Sequence, residues 1–363
     1  MSFFKSRSLS NVLIINIDSG SVSVAVVLMK AGSISQMLCY KRKAFYASEF
    51  AQEERLMLGV LKDILDDVFI NTVAILRDKN LSKEIDHALI ALSSPWAKSK
   101  ISNHTEEQTE TFVFEEELVS RIIREQKQKF LGELGNLEDV EIFETGIASL
   151  LLNGYETPSP LHKKTQKVEI VTMHSYATKK LLSKIESVVL GVYGINRGFS
   201  FQTLNFVFTK TLFRSSNVNS LLVANMSSEH TDMVLLSNRR VMGAYVIPFG
   251  HTHMAEAISK ELHVPLSIAA SLLNLFTHEA LDDRMTAEVD KIVTSVDESW
   301  RKLWQALPAI DPPMVSLFTY PSEDRLGKTL ISSVLPRSKV NVVGENPPLE
   351  IMKLLTEFSS SLL

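Results

Sequence analysis

The segment at residues 12–27 constrains the fold most, because it joins an uninterrupted apolar run, a compact polar turn and a second apolar run. The first run, Val-Leu-Ile-Ile at 12–15, has no polar alternation, which is typical of a central strand covered on both faces. The turn at 18–21 reads Asp-Ser-Gly-Ser. Glycine lets the backbone approach a ligand, and successive N–H groups with a serine hydroxyl can bind a phosphate oxygen. The segment predicts either a phosphate-binding hairpin or an ordinary turn, since turns use the same residues.

Composition and charge describe a globular protein and exclude several classes. The chain has 363 residues, enough for two or three domains with a large core. Its net charge of −4 gives no reason to expect a nucleic-acid partner. The single cysteine, Cys39, excludes an intramolecular disulfide framework and is typical of a reducing compartment. No stretch has the roughly twenty apolar residues of a transmembrane helix and no signal peptide precedes the first strand, so we expect a cytosolic protein.

The order of the predicted elements indicates an α/β protein with an insertion. After the first strands, residues 50–79 carry apolar side chains at the 3.6-residue spacing of a long helix. Residues 85–175 behave differently, since several strands surround one charged helix, and this pattern predicts a small α+β module inserted into the first domain. The predicted elements of the module are strands at 85–93, 109–114, 140–153 and 167–175 and a helix at 115–130. A helix at 177–190 and a strand at 199–206 then resume the first domain.

The second half of the chain repeats the opening pattern. Residues 219–226 form a largely apolar predicted strand, 227–231 a polar turn, and 232–236 and 241–247 two further strands. Strand, hydroxyl-bearing turn, strand, turn and strand is also the layout of residues 12–46. Two halves that open with matching hairpins predict an internal duplication with a cleft between the halves.

At the level of residues, the two hairpins resemble the two phosphate loops of the actin-like ATPase superfamily. The first is Asp-Ser-Gly-Ser at 18–21, and the second is Asn-Met-Ser-Ser-Glu-His-Thr-Asp at 225–232. The segment Val-Ile-Pro-Phe-Gly at 246–250, followed by a predicted helix, resembles the bacterial branch that contains FtsA and PilM. That branch carries an inserted module of the SHS2 type, and the stretch at 85–175 is similar to it.

This resemblance implies a duplicated ribonuclease H-like fold with an inserted α+β subdomain in the first half. The implied divisions are a first actin-like domain at 10–84 and 176–214, the inserted module at 85–175 and a second actin-like domain at 215–363. The implied ligand is ATP or ADP with Mg²⁺, if nucleotide binding is retained, with Asp18 holding the metal. The positions that would bind the nucleotide are Asp18, Ser19, Gly20, Ser21, Ser227, Ser228, Thr231 and Asp232.

Several positions depart from the family pattern. Ala25 stands where the family has a lysine near the phosphates, and Asn225, Ser227 and Glu229 stand where it has an aspartate and two glycines. Tyr320 lies in the stretch where a glycine-rich turn would cover the adenosine. Phosphoryl transfer depends on positioning and electrostatic stabilisation, so these changes predict weak or absent hydrolysis. Binding of nucleotide stays open, because the glycine and serine of the first loop are kept.

Three other features have simpler interpretations. His251 and His253 lack further ligands at metal-binding spacing, so we expect a loop there rather than a metal site. Trp300 and Trp304 lie on an apolar helical stripe, which predicts core packing. Residues 348–363 form an amphipathic helix with few basic residues, and we expect a core helix of the second domain rather than a membrane anchor.

Three functional hypotheses follow. The first is a scaffold resembling PilM or FtsA, cytosolic and held at the inner face of the membrane by a partner in a pilus, secretion or division complex. Its partners would be the cytoplasmic tail of an inner-membrane protein, bound by the inserted module or the interdomain surface, and other copies of the chain. The second is an active, polymerising actin-like ATPase. The third is a sugar or acetate kinase-like enzyme, for which the sequence offers no substrate motif.

Overall fold

The structure is a computed structural model. It describes residues 9–30, 33–45, 50–135, 139–157, 159–195, 198–215, 220–238, 240–307, 312, 314–319, 325–343 and 347–360. Within these residues, no helix is both long enough and apolar enough to cross a lipid bilayer.

Strands and helices alternate along most of the chain. The strands are β1 Leu9–Asp18, β2 Ser21–Lys30, β3 Ser33–Ala44, β4 His87–Leu92, β5 Lys98–Val113, β6 Val140–Leu152, β7 Tyr155–Glu156, β8 Lys164–Thr178, β9 Phe199–Thr203, β10 Ser220–Met226, β11 Thr231–Ser237, β12 Arg240–Ile247, β13 Met314–Thr319 and β14 Lys339–Val342. The helices are α1 Phe50–Asp78, α2 Glu116–Leu134, α3 Lys179–Leu190, α4 Leu204–Ser215, α5 His251–Leu262, α6 Leu266–Thr277, α7 Asp283–Gln305, α8 Arg325–Val334 and α9 Pro347–Ser360.

Two five-stranded sheets share one topology. The first has the order β3-β2-β1-β4-β9 and the second the order β12-β11-β10-β13-β14. In each sheet the first three strands along the chain form an antiparallel meander, and the last two pair in parallel. The central strands β1 and β10 are almost entirely buried, as expected for apolar strands covered on both faces. The predicted α/β duplication is confirmed.

A third, four-stranded sheet forms the inserted module, with the order β5-β8-β6-β7. Its long strands pair antiparallel, and α2 packs on one face through Ile122 and Phe130. One expectation about this module needs correction. The strand predicted at 85–93 was placed inside the module, but β4 pairs in parallel with β1 and belongs to the first sheet. An apolar run that is buried on both faces does not reveal which sheet it joins, whereas the polar strand β5 at Lys98 begins the new sheet.

The core between the two large sheets holds the domains together. α4 and α9 pack there, and the apolar side chains of α9 contact both the first and the second sheet. Ile351, Met352, Leu355 and Phe358 of α9 are 5% exposed or less. The expectation of a core helix at the end of the chain is therefore confirmed, with the refinement that this core is shared by both domains. Trp300 is fully buried on α7, as its apolar stripe predicted.

Candidate functional site

The first loop connects β1 to β2 at the edge of the interdomain cleft. Asp18 ends β1, and the Ser21 hydroxyl donates to its two carboxylate oxygens at 2.9 and 2.8 Å. Gly20 has φ +113°, a conformation that side-chain-bearing residues rarely adopt. The indole N–H of Trp96 donates to the carbonyl of Asp18 at 2.8 Å. These bonds hold the loop in one defined conformation.

The second loop, between β10 and β11, is hydrogen-bonded directly to the first. The Ser19 and Ser227 hydroxyl oxygens are 2.6 Å apart and buried. The N–H of Ser228 donates to the Ser19 carbonyl at 3.0 Å, and the N–H of Glu229 donates to the Ser19 hydroxyl at 2.9 Å. We call residues 18–21 and 227–230 together the loop latch.

Glycine is needed in the loop latch for the contact between the two loops. A Cβ atom added at Gly20 would lie 2.1 Å from the Ser228 hydroxyl oxygen and 2.5 Å from the Ser228 Cβ. The space that a phosphate could use next to Gly20 is therefore filled by the side chain of Ser228. A Cβ added at Gly250 would clash with the second loop as well, because it would lie 2.3 Å from the Ser227 carbonyl oxygen.

The N-terminus of α5 also points at the second loop. Its N–H groups at His251 and Thr252 donate to the carbonyls of Ser227 and Ser228, at 3.1 and 2.8 Å. Helix N-termini commonly bind anions through such free N–H groups and through the helix dipole. Here backbone carbonyls take the place of the anion.

Two of the expected nucleotide-binding residues lie behind the latch. The Thr231 hydroxyl donates to the Phe249 carbonyl at 2.8 Å. The Asp232 carboxylate accepts hydrogen bonds from the Ser94 hydroxyl at 2.7 Å and from the Ser94 N–H at 3.1 Å. Burial raises the pKa of Asp232 to about 6, and the neighbouring Asp18 carboxylate adds to this effect. Both side chains serve to join β11 to its surroundings.

Beside the latch lies a cavity of about 480 Å³, which we call the cleft cavity. The first sheet contributes Asn16, Asp18 and Arg42, and the second domain contributes Asn225 with the loop serines. One face of α6 closes it, at the helical spacing of Ser267, Ala270, Ser271, Asn274 and Thr277. A volume of this size is in the usual range for a small-molecule site. The structure thus brings Asp18, Ser227 and Ser228 to one cavity, with Ser19 buried in the latch next to it.

Sequence reasoning missed Arg42 and Asn16 as members of this site. On β3, Lys41 and Lys43 form ion pairs with Asp67 and Asp63 of α1, at 2.9 and 2.8 Å. Arg42 points to the other face of the strand, toward Asp18. Alternation along β3 could have revealed it, because three successive basic residues in a strand cannot share a face. Asn16 interrupts an apolar run. Because side chains alternate between the two faces of a strand, Asn16 lies on the same face of β1 as Asp18.

Electrostatics around the latch are mixed in sign. Burial raises the pKa of Asp18, while the Arg42 guanidinium opposes that shift. Glu53 of α1 has a pKa raised to about 7, first by burial and then by the nearby Glu229 carboxylate. Glu229 therefore adds negative charge next to the second loop. A polyanion would meet carboxylates on both sides of the latch.

The residues present do not fit a magnesium-bound triphosphate. The N–H groups of Ser227, Ser228 and Glu229 already donate to protein acceptors, and so do those at the start of α5. The position aligned with the family lysine, Ala25, is fully buried between β-strands and supplies no charge. Tyr320, expected to crowd an adenosine turn, lies outside the described residues. Among the residues that the structure describes, no group of three or more His, Cys, Asp or Glu side chains is arranged to hold a metal ion.

Comparison with known proteins identifies the fold. Neither the protein-family models nor the curated proteins gave a match to the sequence. Among solved structures, the PilM–PilN type IV pilus biogenesis complex is similar at a TM-score of 0.61 and 11% identity, covering 98% of this chain and 97% of that chain. The ethanolamine utilization protein EutJ from Carboxydothermus hydrogenoformans is similar at a TM-score of 0.48 and 8% identity, covering 95% and 88%. A Bacteroides thetaiotaomicron protein described as having an actin-like ATPase fold is similar at 0.42 and 12%, covering 98% of both chains.

The likeness to the first of these structures extends over nearly the full length of both chains and agrees with the duplicated sheet topology. At 11% identity it concerns the fold and leaves the activity to other evidence. The chain therefore has the actin-like ATPase fold, in the form that PilM represents, as the two hairpins predicted.

Proposed function

We propose that this protein is a cytosolic actin-like scaffold that docks to a membrane-embedded assembly of the type IV pilus or type II secretion kind. In this proposal its degenerate cleft supports weak or no ATP hydrolysis. The observation that carries it is the loop latch, in which Ser19 bonds to Ser227, Ser228 and Glu229 where a phosphate chain would have to pass. A rigid interdomain contact suits a scaffold better than a hydrolytic cycle, because hydrolysis requires the loops to hold phosphate.

The solved structure that this chain resembles is a PilM–PilN complex, and this likeness supports a protein partner for the present chain as well. We propose that the partner is the cytoplasmic tail of an inner-membrane protein. Such a partner would place the protein at the inner face of the membrane. We also propose the domain division expected from the sequence, except that the inserted module starts at β5 rather than at residue 85.

A second cavity, of about 150 Å³, supplies a site for the tail peptide. It lies between the inserted module and β12 of the second domain, and Asn103, Ser149 and Met242 are among its lining residues. Met242 is 53% exposed, and Arg240 pairs with Glu169 across the boundary at 2.5 Å. An exposed apolar side chain beside polar strand residues offers both contacts that an extended peptide uses, apolar anchoring and hydrogen bonding.

Site-specific photo-crosslinking in the source cells tests the docking. A photoreactive phenylalanine analogue replaces Met242 in one version of the protein and Ile70, a 67% exposed residue of α1, in the control. We expect an adduct with an inner-membrane protein from position 242 and none from position 70. Absence of any inner-membrane adduct at position 242 would refute the docking site.

Phosphate release tests the degenerate cleft. Purified wild-type protein and Asp18→Ala are compared with ATP and Mg²⁺, and we expect equal rates at the background level. Release by the wild type that disappears in Asp18→Ala would contradict the proposal and favour an active ATPase.

A further inference from the structure

The inserted module ends in an edge strand, β5, whose outer side is open to another chain. The module sheet has the order β5-β8-β6-β7, so β5 pairs with β8 on one side, and no other described strand pairs with its outer side. The pairing with β8 is regular from Lys98 to Glu107, and an irregularity follows before Phe112. We call residues 98–107 the β5 edge. The outer backbone N–H and C=O groups of an edge strand are a template for a further strand.

The charges on the β5 edge are divided by sign. Lys98 and Lys100 lie at its beginning, and Glu106 and Glu107 lie at its end. Charged side chains usually protect an edge strand from pairing. The division by sign removes this protection against a second copy in the antiparallel orientation, because the basic beginning of each strand then faces the acidic end of the other. Opposite charges that face each other across antiparallel strands stabilise the pair.

Symmetry restricts the register of such a pair. A two-fold axis perpendicular to the joined sheet keeps each side chain on its own face, and side chains alternate along a strand. The two residues that face each other must therefore both have even numbers or both have odd numbers. Asn103 is exposed near the middle of the β5 edge. In the register in which Asn103 faces its own copy, Lys100 faces Glu106 of the second copy.

One flank of α2 repeats this self-complementary pattern above the sheet. This flank lies over β5, since Arg121 donates to Glu106 at 2.6 Å and Lys100 forms an ion pair with Glu133. The helix therefore runs antiparallel to the strand below it. Four exposed residues of alternating charge follow one another along the flank, about one turn apart: Arg121, Glu125, Lys129 and Glu133.

The helix flank favours the same register as the strand. Pairing about the two-fold axis at Asn103 places the two α2 helices antiparallel on one face of the joined sheet. Because Arg121 lies beside the acidic end of the β5 edge and Glu133 beside its basic end, Arg121 faces Glu133 of the second copy. Glu125 faces Lys129 of the second copy by the same spacing. Neighbouring strands are about 4.8 Å apart, so the two β8 strands would be about 14 Å apart, and long charged side chains of the two helices can meet between them.

From this complementarity we infer that the inserted module binds a second copy of the chain through antiparallel pairing of the two β5 edges. The two four-stranded sheets then form one continuous sheet with both α2 helices on one face. The cavity proposed for the tail peptide lies on the other face of the module, where Glu169 pairs with Arg240. This pairing goes beyond the proposed function, because it needs only copies of this chain.

Sedimentation velocity of the purified full chain tests the pairing at micromolar concentrations, in low and in high salt. We expect a monomer–dimer equilibrium in low salt and dimerisation at least about tenfold weaker in high salt, because salt screens exposed charges. A monomer throughout the micromolar range in low salt would overturn the inference.

Charge exchange on α2 tests the complementarity. Glu125→Lys places a lysine opposite Lys129 of the second copy at two symmetric contacts, and we expect dimerisation to weaken about tenfold. Glu125→Lys combined with Lys129→Glu restores opposite charges at both contacts and should dimerise as the wild type does. Glu116→Lys, the same change on the opposite flank of α2, is the matched control and should leave dimerisation unchanged. Equal affinity of the Glu125→Lys single variant and the double variant would overturn the inference.

A cysteine at the two-fold axis tests the register. Asn103→Cys places two thiols opposite each other, and we expect a disulfide-linked dimer under mild oxidation. Glu107→Cys lies on the same face of β5, but its two copies would be about 26 Å apart, so we expect no linked dimer from this control. Cys39 of the wild type is present in both variants. Linkage of Glu107→Cys as fast as that of Asn103→Cys would overturn the assignment.

The outcome can be separated from that of the proposed function. Dimerisation is measured on the purified chain without a membrane partner. A chain that stays monomeric therefore leaves the docking proposal intact, and a failed photo-crosslink leaves the pairing of the β5 edges intact.

Discussion

Substituting Gly20 by alanine should open the loop latch and destabilise the protein strongly. The new Cβ would lie 2.5 Å from the Ser228 Cβ, and ordinary contact begins near 3.4 Å, so Ser228 must move by about 1 Å. Rotation of the Ser228 hydroxyl cannot relieve this clash, because the Ser228 Cβ stays in place when the hydroxyl rotates about it. The hydrogen bond from the Ser228 N–H to the Ser19 carbonyl, now 3.0 Å, would then exceed bonding distance.

The expected loss can be estimated from two contributions. A non-glycine residue at φ +113° costs about 1–3 kcal/mol. Losing two hydrogen bonds of the latch, from Ser228 to Ser19 and between Ser19 and Ser227, costs about 1 kcal/mol each. We therefore expect the free energy of unfolding to fall by about 3–5 kcal/mol, which is large for a single methyl group.

Equilibrium urea unfolding, followed by circular dichroism and tryptophan fluorescence, measures this change. Two matched glycines serve as controls. Gly154→Ala has a positive φ of +83° but open space around the added Cβ, so it reports the backbone cost alone. Gly59→Ala, in the open surface of α1, should be neutral or stabilising by up to about 1 kcal/mol.

A double variant separates the clash from the backbone cost. Ser228→Gly removes the side chain that the new Cβ would meet, so Gly20→Ala should cost less in that background. If Gly20→Ala destabilises the protein no more than Gly154→Ala does, or if Ser228→Gly gives no relief, then the close contact between the loops does not exist in solution.

Three further predictions concern buried polar groups. Burial raises the pKa of the Glu144 carboxyl to about 7. The contribution of this carboxyl to stability is therefore complete below pH 4.5 and is lost as the pH rises through 7. Relative to Glu144→Gln, the free energy of unfolding of the wild type, measured in urea, should fall by about 3 kcal/mol between pH 4 and pH 8. Ser94→Ala removes a hydrogen bond to the Asp232 carboxylate and should cost about 2 kcal/mol at pH 7.5 but less at pH 5, where Asp232 is largely protonated, by the same assay. Trp300→Phe leaves the buried Leu330 carbonyl without its indole donor at 2.8 Å and should lower the free energy of unfolding by about 2 kcal/mol.

Each of these has a clear counter-result. Equal pH dependence of wild type and Glu144→Gln would mean that the Glu144 carboxyl is hydrated and not buried. A pH-independent cost of Ser94→Ala would show that Asp232 keeps one protonation state throughout that range. Trp304→Phe is the control for Trp300→Phe. The prediction includes no hydrogen bond of the Trp304 indole, so Trp304→Phe should lower the free energy of unfolding by less than Trp300→Phe does.

Local patterns were sufficient to predict most secondary elements. The apolar run and glycine turn at 12–27 predicted β1 and β2, which pair with Asp18 opposite Ser21. Helical spacing predicted α1, α7 and α9, including the burial of Trp300. These elements depend on periodicity and turn chemistry, which act over a few residues.

Long-range partners were harder to predict. The segment at 87–92 was predicted to be a strand but was assigned to the inserted module, because an apolar run does not indicate which strand it pairs with. Asn16 and Arg42 went unnoticed as site residues, although strand alternation places each on the face of Asp18. Their importance depends on what the second domain brings to that face.

The amino-acid order alone therefore specified the duplicated α/β architecture and the location of its two loops, since hairpins, helices and apolar faces are encoded within short segments. Tertiary packing decided whether those loops bind a phosphate or form hydrogen bonds with each other. Ser19 and Ser227 are separated by 208 positions, and their 2.6 Å contact exists because α4, α9 and the shared core bring the two sheets together. A glycine that sequence reasoning assigned to a ligand serves the contact between the domains, because the atoms that fill its open side come from the other half of the chain.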